Sequence, residues 1–111
     1  KCFFGSIFEF GLLGESGGRI VVDGFDLEWD GESRVVYPEA KEMKIQDFGQ
    51  RCTVTMKFDS PASVFVGPVF GASSSAAPEV YQGVRIYPFW RTALTVMDEK
   101  KFGISVSVSG R

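Results

Sequence analysis

Hydrophobic and polar residues alternate along most of the chain, and a period of two is typical of β-strands that bury one face. In residues 102–109, Phe and aliphatic side chains occupy the even positions, while Gly and Ser occupy the odd ones. In residues 52–58, Cys52, Val54, Met56 and Phe58 fall on one face, with Thr or Lys on the other. Both runs therefore predict strands, and Cys52 is predicted to point towards the core.

Weaker runs of the same kind fill most of the remaining chain, separated by Gly, Pro and Asp-Gly. They are residues 19–22, 25–29, 34–37, 42–46, 63–66, 79–87 and 93–97. About eight to ten short strands at this spacing predict an all-β chain with an antiparallel β-sandwich or jelly-roll-like fold. Residues 1–111 are expected to form a single domain of this kind. Helix is expected only as a turn at 38–42, where Pro38 fits a first helical position.

The length and composition of the chain allow a real hydrophobic core. With 111 residues, 44% of them hydrophobic and 23% charged, the chain is neither disordered nor membrane-like by composition. Its apolar runs are far shorter than the ~20 residues of a spanning helix, so no membrane span is expected. The net charge is -2 and the basic residues are scattered, which argues against nucleic acid as a partner.

The sequence does not indicate catalytic chemistry. It has no His, which removes the usual general base and every Ser-His or Cys-His nucleophilic pair. Its 11 Phe supply rigid apolar area without a polar group, which indicates burial or a binding surface. We therefore expect a protein that is not an enzyme, with no catalytic residue and no cofactor other than a weakly indicated calcium ion.

Cys2 and Cys52 are too far apart in the sequence for a CxxC motif, which leaves a disulfide or two free core thiols. A disulfide would close a loop of about 50 residues and stabilise the fold by about 4 kcal/mol in the chain-entropy account. It is the alternative we expect, and it implies an extracellular, periplasmic or luminal location. A chain that begins at Lys1 fits a processed mature protein, and a fragment nearly as well.

Residues 25–37 carry an acidic motif that resembles part of an EF-hand loop. Asp26, Glu28, Asp30 and Gly31 match loop positions 1, 3, 5 and 6, but Tyr37 replaces the bidentate Glu of position 12. Apolar residues also alternate through this segment, as in a strand rather than in an incoming helix. The motif therefore favours a β-hairpin over a calcium loop.

The turn of this hairpin has two possible registers. A three-residue turn opposes Glu28 to Arg34 as an ion pair, whereas a two-residue Asp-Gly turn opposes Leu27 to Arg34. In either register the carboxylates form a solvent-facing row. They remain a weak calcium site, whose candidate ligands are Asp26, Glu28, Asp30 and Glu32, with Asp23 as an alternative.

Residues 2–13 are apolar on both faces of the strand they predict. Phe4, Phe8, Phe10 and Leu12 share one face, and Phe3, Ile7 and Leu13 share the other. A strand of this kind has to be covered on both sides. It is either a central strand within the domain, or one covered by a loop, or a strand that completes the sheet of another subunit or lies in a subunit interface.

Residues 68–78 are bounded by prolines and rich in Ala and Ser, which predicts a loop longer than the common connection. Long loops on rigid sandwiches often carry binding sites. The alternative is a mobile tip without a role in binding.

The candidate ligand site surrounds Pro88, which cannot donate a ladder hydrogen bond and so predicts a sheet edge or a bend. Its residues are Arg85, Tyr87, Phe89, Trp90 and Arg91. Exposed aromatic rings beside Arg form a stacking platform for a sugar or an anchor for a protein partner. The alternative is that Phe89 and Trp90 straddle the core at a sheet corner.

Two hypotheses for function follow from these features. The first is a secreted, lectin-like recognition module that binds carbohydrate through the aromatic and Arg cluster. The second is a structural subunit of a larger assembly, such as a fibre, a shell or a multisubunit complex, with the Phe-rich N-terminal strand as its interface. The partner is thus a glycan or a protein, including further copies of the chain. Fold-level analogy favours the first hypothesis.

Overall fold

The computed structural model describes residues 2–14, 17–72, 79–92 and 101–110. Within these ranges the chain is mostly β-strand and contains no helix. The strands, numbered in chain order, are β1 (Cys2–Gly5), β2 (Phe8–Phe10), β3 (Gly18–Val22), β4 (Phe25–Asp26), β5 (Val35–Asp47), β6 (Cys52–Ala72), β7 (Glu79–Thr92) and β8 (Ile104–Gly110).

Hydrogen bonds join these strands into one sheet in the order β1-β7-β6-β5-β3-β4. β2 also lies beside β7, and β8 lies beside β6. Every pairing among the described strands is antiparallel. The all-β class and the antiparallel arrangement predicted from the alternating pattern are therefore confirmed.

β5 and β6 form the centre of the sheet, and β6 bends. A straight strand of its 21 residues would span about 69 Å, whereas the longest dimension of the molecule is 51 Å. One side of β6 pairs with β5, through residues 52–57 and again between residues 62 and 66. On its other side, residues 52–58 pair with β8 and residues 63–72 pair with β7. We call these two regions the first half and the second half of the sheet.

β5 is irregular at the junction between the halves. Its register against β6 shifts twice between Tyr37 and Glu42. Asp23 supports this irregular segment, because its Oδ1 accepts hydrogen bonds from the backbone N–H groups of Lys41 at 3.0 Å and of Glu42 at 2.9 Å. The helical turn predicted at 38–42 is therefore wrong, since these residues belong to a bulged strand.

One hydrophobic core contains residues from both halves. Even-numbered residues of β6 point into it, from Val54 to Phe58 and from Ala62 to Val66, and Cys52 packs against it half-buried, as predicted. The odd-numbered residues of β6 lie on the opposite face, which we call the outer face. β8 forms a strand as predicted, but its apolar face is not buried: Ile104 packs half-buried against the core, while Val106 is 42% and Val108 68% exposed.

The acidic motif does not form the predicted hairpin. β4 pairs with β3, where Val22 faces Phe25, and the following strand pairs with β6 instead. The tight Asp-Gly turn lies at Asp23 and Gly24, whose φ values of 51° and 87° are those that a type I′ turn requires. Residues 27–34 form a loop without strand pairing, so the predicted ion pair across a hairpin is absent there.

The N-terminal segment lies along the outer side of β7. β1 pairs with β7 so that Phe3 faces Arg91, and β2 pairs with β7 in the same register. The gap between β1 and β2 therefore lies opposite Pro88. Pro88 has no N–H, but its carbonyl oxygen accepts a hydrogen bond from the Ser6 N–H at 3.2 Å. β7 is thus an interior strand at Pro88, so the predicted sheet edge is wrong for β7, and the neighbouring edge strand is interrupted instead.

This segment is not a central strand covered on both faces. On the face predicted to contain Phe4, Phe8, Phe10 and Leu12, the last three pack against the core, but Phe4 is 53% exposed. On the other face, Phe3 and Ile7 are each 64% exposed. The interpretation as a covered central strand is therefore wrong for the described residues, because β1 and β2 pair only with β7.

The predicted Cys2–Cys52 disulfide is not found, and Cys52 is a free cysteine. The topology gives the physical reason. Cys52 begins β6 between Asp47 of β5 and Gly110 of β8, whereas the backbone of Cys2 pairs with Thr92 at the end of β7. β7 therefore lies between β6 and the strand that contains Cys2. The extracellular, periplasmic or luminal location was inferred from this disulfide, and it stays a prediction.

Two further predictions fall partly or wholly outside the described residues. The strand predicted at 93–97 lies outside them, as do residues 73–78 of the predicted loop, while residues 68–72 belong to β6. No helix in the described ranges is long and apolar enough to cross a membrane.

Candidate functional site

β7 distributes the predicted ligand-binding residues over two opposite faces. Its odd positions, Arg85, Tyr87, Phe89 and Arg91, lie on the outer face, where the arginines are exposed and the rings are half-buried. Its even positions point into the core, and Trp90 is only 5% exposed. The structure therefore brings the first four residues together and separates Trp90 from them.

Trp90 is part of the core. Its indole N–H donates a hydrogen bond to the carbonyl oxygen of Ser60 at 3.0 Å. Its ring stacks on that of Phe102 with centroids 4.8 Å apart, and Phe4 and Phe58 also contact it. Because its polar group is satisfied and its faces are covered, Trp90 cannot serve as an exposed stacking residue.

The neighbouring strands extend the outer face of β7 into an apolar row. Tyr87 lies opposite Phe65 of β6, and Phe65 lies opposite Val36 of β5. On the other side of β7, the shared register of β1 and β2 sets Ile7 beside Tyr87. Val36 is 58% exposed, so this row of apolar side chains faces solvent across the second half of the sheet.

Two further aromatic rings adjoin this row. Phe89 stacks on Tyr87 with centroids 5.2 Å apart and an interplanar angle of 24°. Phe3 contacts Phe89 with centroids 6.3 Å apart. We call the set the outer patch. It consists of Phe3, Ile7, Val36, Phe65, Tyr87 and Phe89.

Two glycines give the rings of the outer patch their space. A Cβ added at Gly67 would lie 3.0 Å from the ring of Phe65. A Cβ added at Gly5 would lie 2.8 Å from the ring of Tyr87 and would also collide with the carbonyl oxygen of Pro88. Since neither residue has a side chain, both rings lean over neighbouring backbone instead of standing away from the sheet.

Arginines lie at both ends of the outer patch. Arg85 donates from Nε to Oε2 of Glu9 at 2.8 Å and is held in this ion pair. The side chain of Arg34 lies beside Gly67 at the same end of the patch. At the other end, the guanidinium carbon of Arg91 lies 5.7 Å from the centroid of the Phe3 ring, within cation-π range.

The outer face of the first half is different in chemistry. Thr53 and Thr55 of β6 occupy it, and Lys44 and Lys57 each lie 3.9 Å from a carboxylate oxygen of Glu42. Short polar side chains and paired charges are the ordinary composition of a solvated sheet face. The rings of the outer patch therefore belong to the second half, whereas in the first half the exposed ring of Phe48 lies under the guanidinium group of Arg19.

The acidic loop does not assemble the calcium site that the motif suggested. Asp26 accepts a hydrogen bond from the Glu28 N–H at 2.8 Å, and Asp30 accepts from the N–H groups of Glu32 and Ser33. These carboxylates thus stabilise successive local turns instead of converging. Among the described residues, no three acidic, His or Cys side chains are grouped so that they could hold a metal ion.

These hydrogen bonds change the acidity of Asp30. The hydroxyl of Ser33 donates to Oδ2 at 2.6 Å, and its backbone N–H donates to Oδ1 at 2.7 Å. Donors that favour the ionised form lower the pKa of Asp30 from 3.8 to about 2. The role of Asp30 is to close the loop after Trp29, whose indole N–H donates to the Ser33 carbonyl oxygen at 2.7 Å.

Sequence reasoning missed several members of the site. Phe3 and Ile7 were assigned to an N-terminal strand, without a link to the cluster around Pro88. Phe65 has a usable signal, because it lies between Val64 and Val66 in a run that is apolar on both faces. Val36 has none, since its place beside Phe65 depends on long-range register.

No protein-family model, no curated protein and no solved structure matches this chain.

Proposed function

We propose that the chain is a non-catalytic recognition module that binds carbohydrate on the outer patch. One observation carries this proposal: four aromatic rings, those of Phe3, Phe65, Tyr87 and Phe89, lie side by side on one solvent-facing surface built from three strands. Rings held on strands keep their positions better than rings on loops, which lowers the entropy cost of binding.

The chemistry of a pyranose ring suits this surface. One face of the sugar presents C–H groups, which are attracted to the electron-rich face of an aromatic ring. The sugar hydroxyls need hydrogen-bond partners, and the guanidinium groups of Arg34 and Arg91 and the hydroxyl of Tyr87 supply them at the margins. A flat face is suited to an extended oligosaccharide lying across the strands.

We propose a non-catalytic function because the outer patch lacks paired carboxylates. Glycoside hydrolysis needs two carboxyl groups about 5 to 10 Å apart on either side of the bond. The carboxylate that borders the patch in the described residues is Glu9, and it is ion-paired with Arg85. A secreted location, where glycans are abundant, is part of the same proposal.

We also infer that the sheet folds over on itself as a β-sandwich. Phe10 faces Val84 of β7, which in turn faces Pro68 near the C-terminal end of β6. Leu13 donates its N–H to Oδ2 of Asp47, and Asp47 faces Cys52 at the N-terminal end of β6. The three residues from Phe10 to Leu13 can span only about 10 Å, whereas a straight β6 would separate Cys52 from Pro68 by about 53 Å. A fold that brings these ends together supports two layers, with the outer patch on the outside of one of them.

Glycan-binding measurements with matched variants test the proposed function. We expect binding to at least one member of a panel of β-glucan, mannan, xylan and polygalacturonate oligosaccharides, measured by isothermal titration calorimetry. Phe65→Ala should weaken it by about five- to thirtyfold, since aromatic contacts of this kind are worth roughly 1 to 2 kcal/mol. Thr55→Ala, on the same strand and the same face but in the first half, should bind as the parent does.

An unchanged affinity in Phe65→Ala and in Tyr87→Ala, with folding intact by circular dichroism, would contradict the proposal. Failure of the whole panel would contradict it as well. Both variants remove half-buried side chains that lie outside the core, so folding is expected to survive.

A second function, as a subunit of a larger assembly, is favoured by the exposed apolar edges of the sheet. Val106 and Val108 of β8 are exposed on an uncharged strand that alternates with Ser. Uncharged edge strands of high β-propensity pair readily with strands of other chains. In this alternative the outer patch is buried between subunits.

Light scattering across a hundredfold dilution separates the two functions. A recognition module is expected to remain monomeric. A stable oligomer that Ile7→Arg or Val36→Arg converts to monomers would identify the outer patch as a subunit interface, and would replace the glycan proposal. Val108→Lys, at the β8 edge, distinguishes assembly through that edge from assembly through the patch.

A further inference from the structure

The charges on the outer face differ in sign from those of the chain as a whole. The chain carries a net charge of -2. At the paired outer-face positions whose side chains the structure describes, however, cations outnumber carboxylates. The cations are Arg19, Lys44, Lys57, Arg85 and Arg91, and the carboxylates are Glu9, Asp26 and Glu42.

Two guanidinium groups beside the outer patch are available for a ligand. Arg85 is occupied by Glu9, and the lysines of the first half share Glu42. Within the described part of the chain, Arg34 and Arg91 have no carboxylate within ion-pair distance. Arg91 instead lies over Phe3, and Arg34 lies beside Gly67.

The positions of these two arginines match an extended ligand. Arg85, in the same row as Gly67, and Arg91 are six residues apart on one strand, which corresponds to about 20 Å. Arg34 therefore marks one end of the aromatic surface, and Arg91 marks the other. A guanidinium group binds carboxylate or sulfate with two parallel hydrogen bonds, which a neutral hydroxyl cannot match.

We propose that the outer patch selects acidic oligosaccharides, in which sugar rings stack on Phe65, Tyr87 and Phe89 while carboxylate or sulfate groups pair with Arg34 and Arg91. This inference rests on the proposed carbohydrate binding and adds the charge of the ligand to it. A repeating acidic sugar places anions at intervals along the chain, so both arginines are engaged by one oligosaccharide.

A nucleic acid is the other anionic ligand that stacks on aromatic sheet surfaces. Proteins that bind single strands surround the rings with many cations and have a basic domain charge. Here the sequence pI is about 5.1, and Glu9 borders the patch itself. The balance of charge on this face suits a ligand with fewer anions per unit length than a phosphate backbone.

Calorimetry with a matched pair of ligands tests this inference. The pair is hexagalacturonate and its fully methyl-esterified form, which has the same sugar backbone without the charge. We expect the acid form to bind about tenfold tighter at 50 mM salt, and raised salt to shrink the difference. An Arg34→Gln/Arg91→Gln variant should lose this preference and bind the acid and the ester about equally. A Lys44→Gln/Lys57→Gln variant is the control and should keep the preference.

Each other outcome overturns the inference in a distinguishable way. Equal binding of acid and ester leaves the proposed function standing and removes the acidic preference. If Arg34→Gln/Arg91→Gln still prefers the acid form, other residues recognise the charge of the ligand. Binding of an oligothymidylate 12-mer more tightly than hexagalacturonate and a heparin hexasaccharide makes nucleic acid the ligand. No binding of any saccharide contradicts the proposed function itself.

Discussion

Trp90 donates its indole N–H to the carbonyl oxygen of Ser60 at 3.0 Å, from a strand whose adjacent residues, Phe89 and Arg91, face the opposite way. The hydrogen bond lies at the junction between the two halves of the sheet, since residue 60 falls between the parts of β6 that pair with β8 and with β7. The aromatic residue that looked most suited to a ligand is thus a structural one.

Replacing Trp90 should therefore affect stability. We expect Trp90→Phe to lower the free energy of unfolding by about 1 to 3 kcal/mol, because it leaves the Ser60 carbonyl oxygen unsatisfied in a part-buried site. Trp29→Phe is the matched control, because its hydrogen bond to Ser33 is exposed and can be replaced by water. Urea unfolding of the two variants measures the difference, and equal losses would contradict this role.

Removing the carboxylate of Asp47 should destabilise the fold more than any other single loss of a carboxylate among the described residues. Asp47 is buried and accepts hydrogen bonds from the N–H groups of Leu13, Gly49 and Gln50. Asp47→Ala would leave these donors without a partner, at an expected cost of about 3 kcal/mol. Thermal unfolding measures it, and Asp26→Ala, which removes one exposed local hydrogen bond, is the control.

Adding a single methyl group at Gly5 should be costly. The new Cβ would collide with the carbonyl oxygen of Pro88 and with the ring of Tyr87. We expect Gly5→Ala to lose about 1 to 3 kcal/mol of stability and to weaken ligand binding by displacing Tyr87. Gly110→Ala, at a strand position with open space around it, should change neither property. If Gly110→Ala were also destabilised, the loss in Gly5→Ala would come from replacing any glycine in a strand, and not from the contact with Pro88 and Tyr87.

The pKa of Asp30 should depend on Ser33. In the folded protein it is lowered from 3.8 to about 2, first by the hydrogen bond from the Ser33 hydroxyl. Because the folded value is the lower one, the stabilisation is present above pH 3.8 and is lost as the pH falls towards about 2. Ser33→Ala should raise the pKa of Asp30 towards 3.8, as measured by carbon NMR titration of the carboxyl group. An unchanged value would contradict the hydrogen bond.

Reducing agents should leave the stability of the protein unchanged, because Cys52 is a free thiol. We expect the same unfolding midpoint with and without dithiothreitol. Alkylation should modify Cys52 faster in urea than in buffer, since the thiol is half-buried against the core. An unfolding midpoint that falls on reduction would show that the protein contains a disulfide and would contradict the free thiol.

The sequence predicted the local structure well where one face is simply buried. The alternation through Val54 and Met56 indicates both the strand and its inward face, and the structure has both. It could not predict that the chain continues as one strand through Pro61, because Pro and Ser at 60–61 are ordinary turn residues. A bend supported by a neighbouring strand overrides that local signal.

Pairing partners were the main source of error. Asp23-Gly24 and Asp30-Gly31 carry the same turn chemistry, and local rules do not decide which of them closes a hairpin. The candidate site follows the same division. Period two is enough to group Tyr87 with Arg85 and Arg91, whereas Phe3 and Phe65 join them only through the register of distant strands.

The shared backbone of β5 and β6 has a consequence for how the outer patch meets its ligand. Because both long strands run through both halves, continuous strands and their ladder hydrogen bonds join the two halves, rather than a flexible linker. The surface is therefore assembled before any ligand arrives, and association should resemble docking onto a rigid plate, with little heat or time spent on rearrangement.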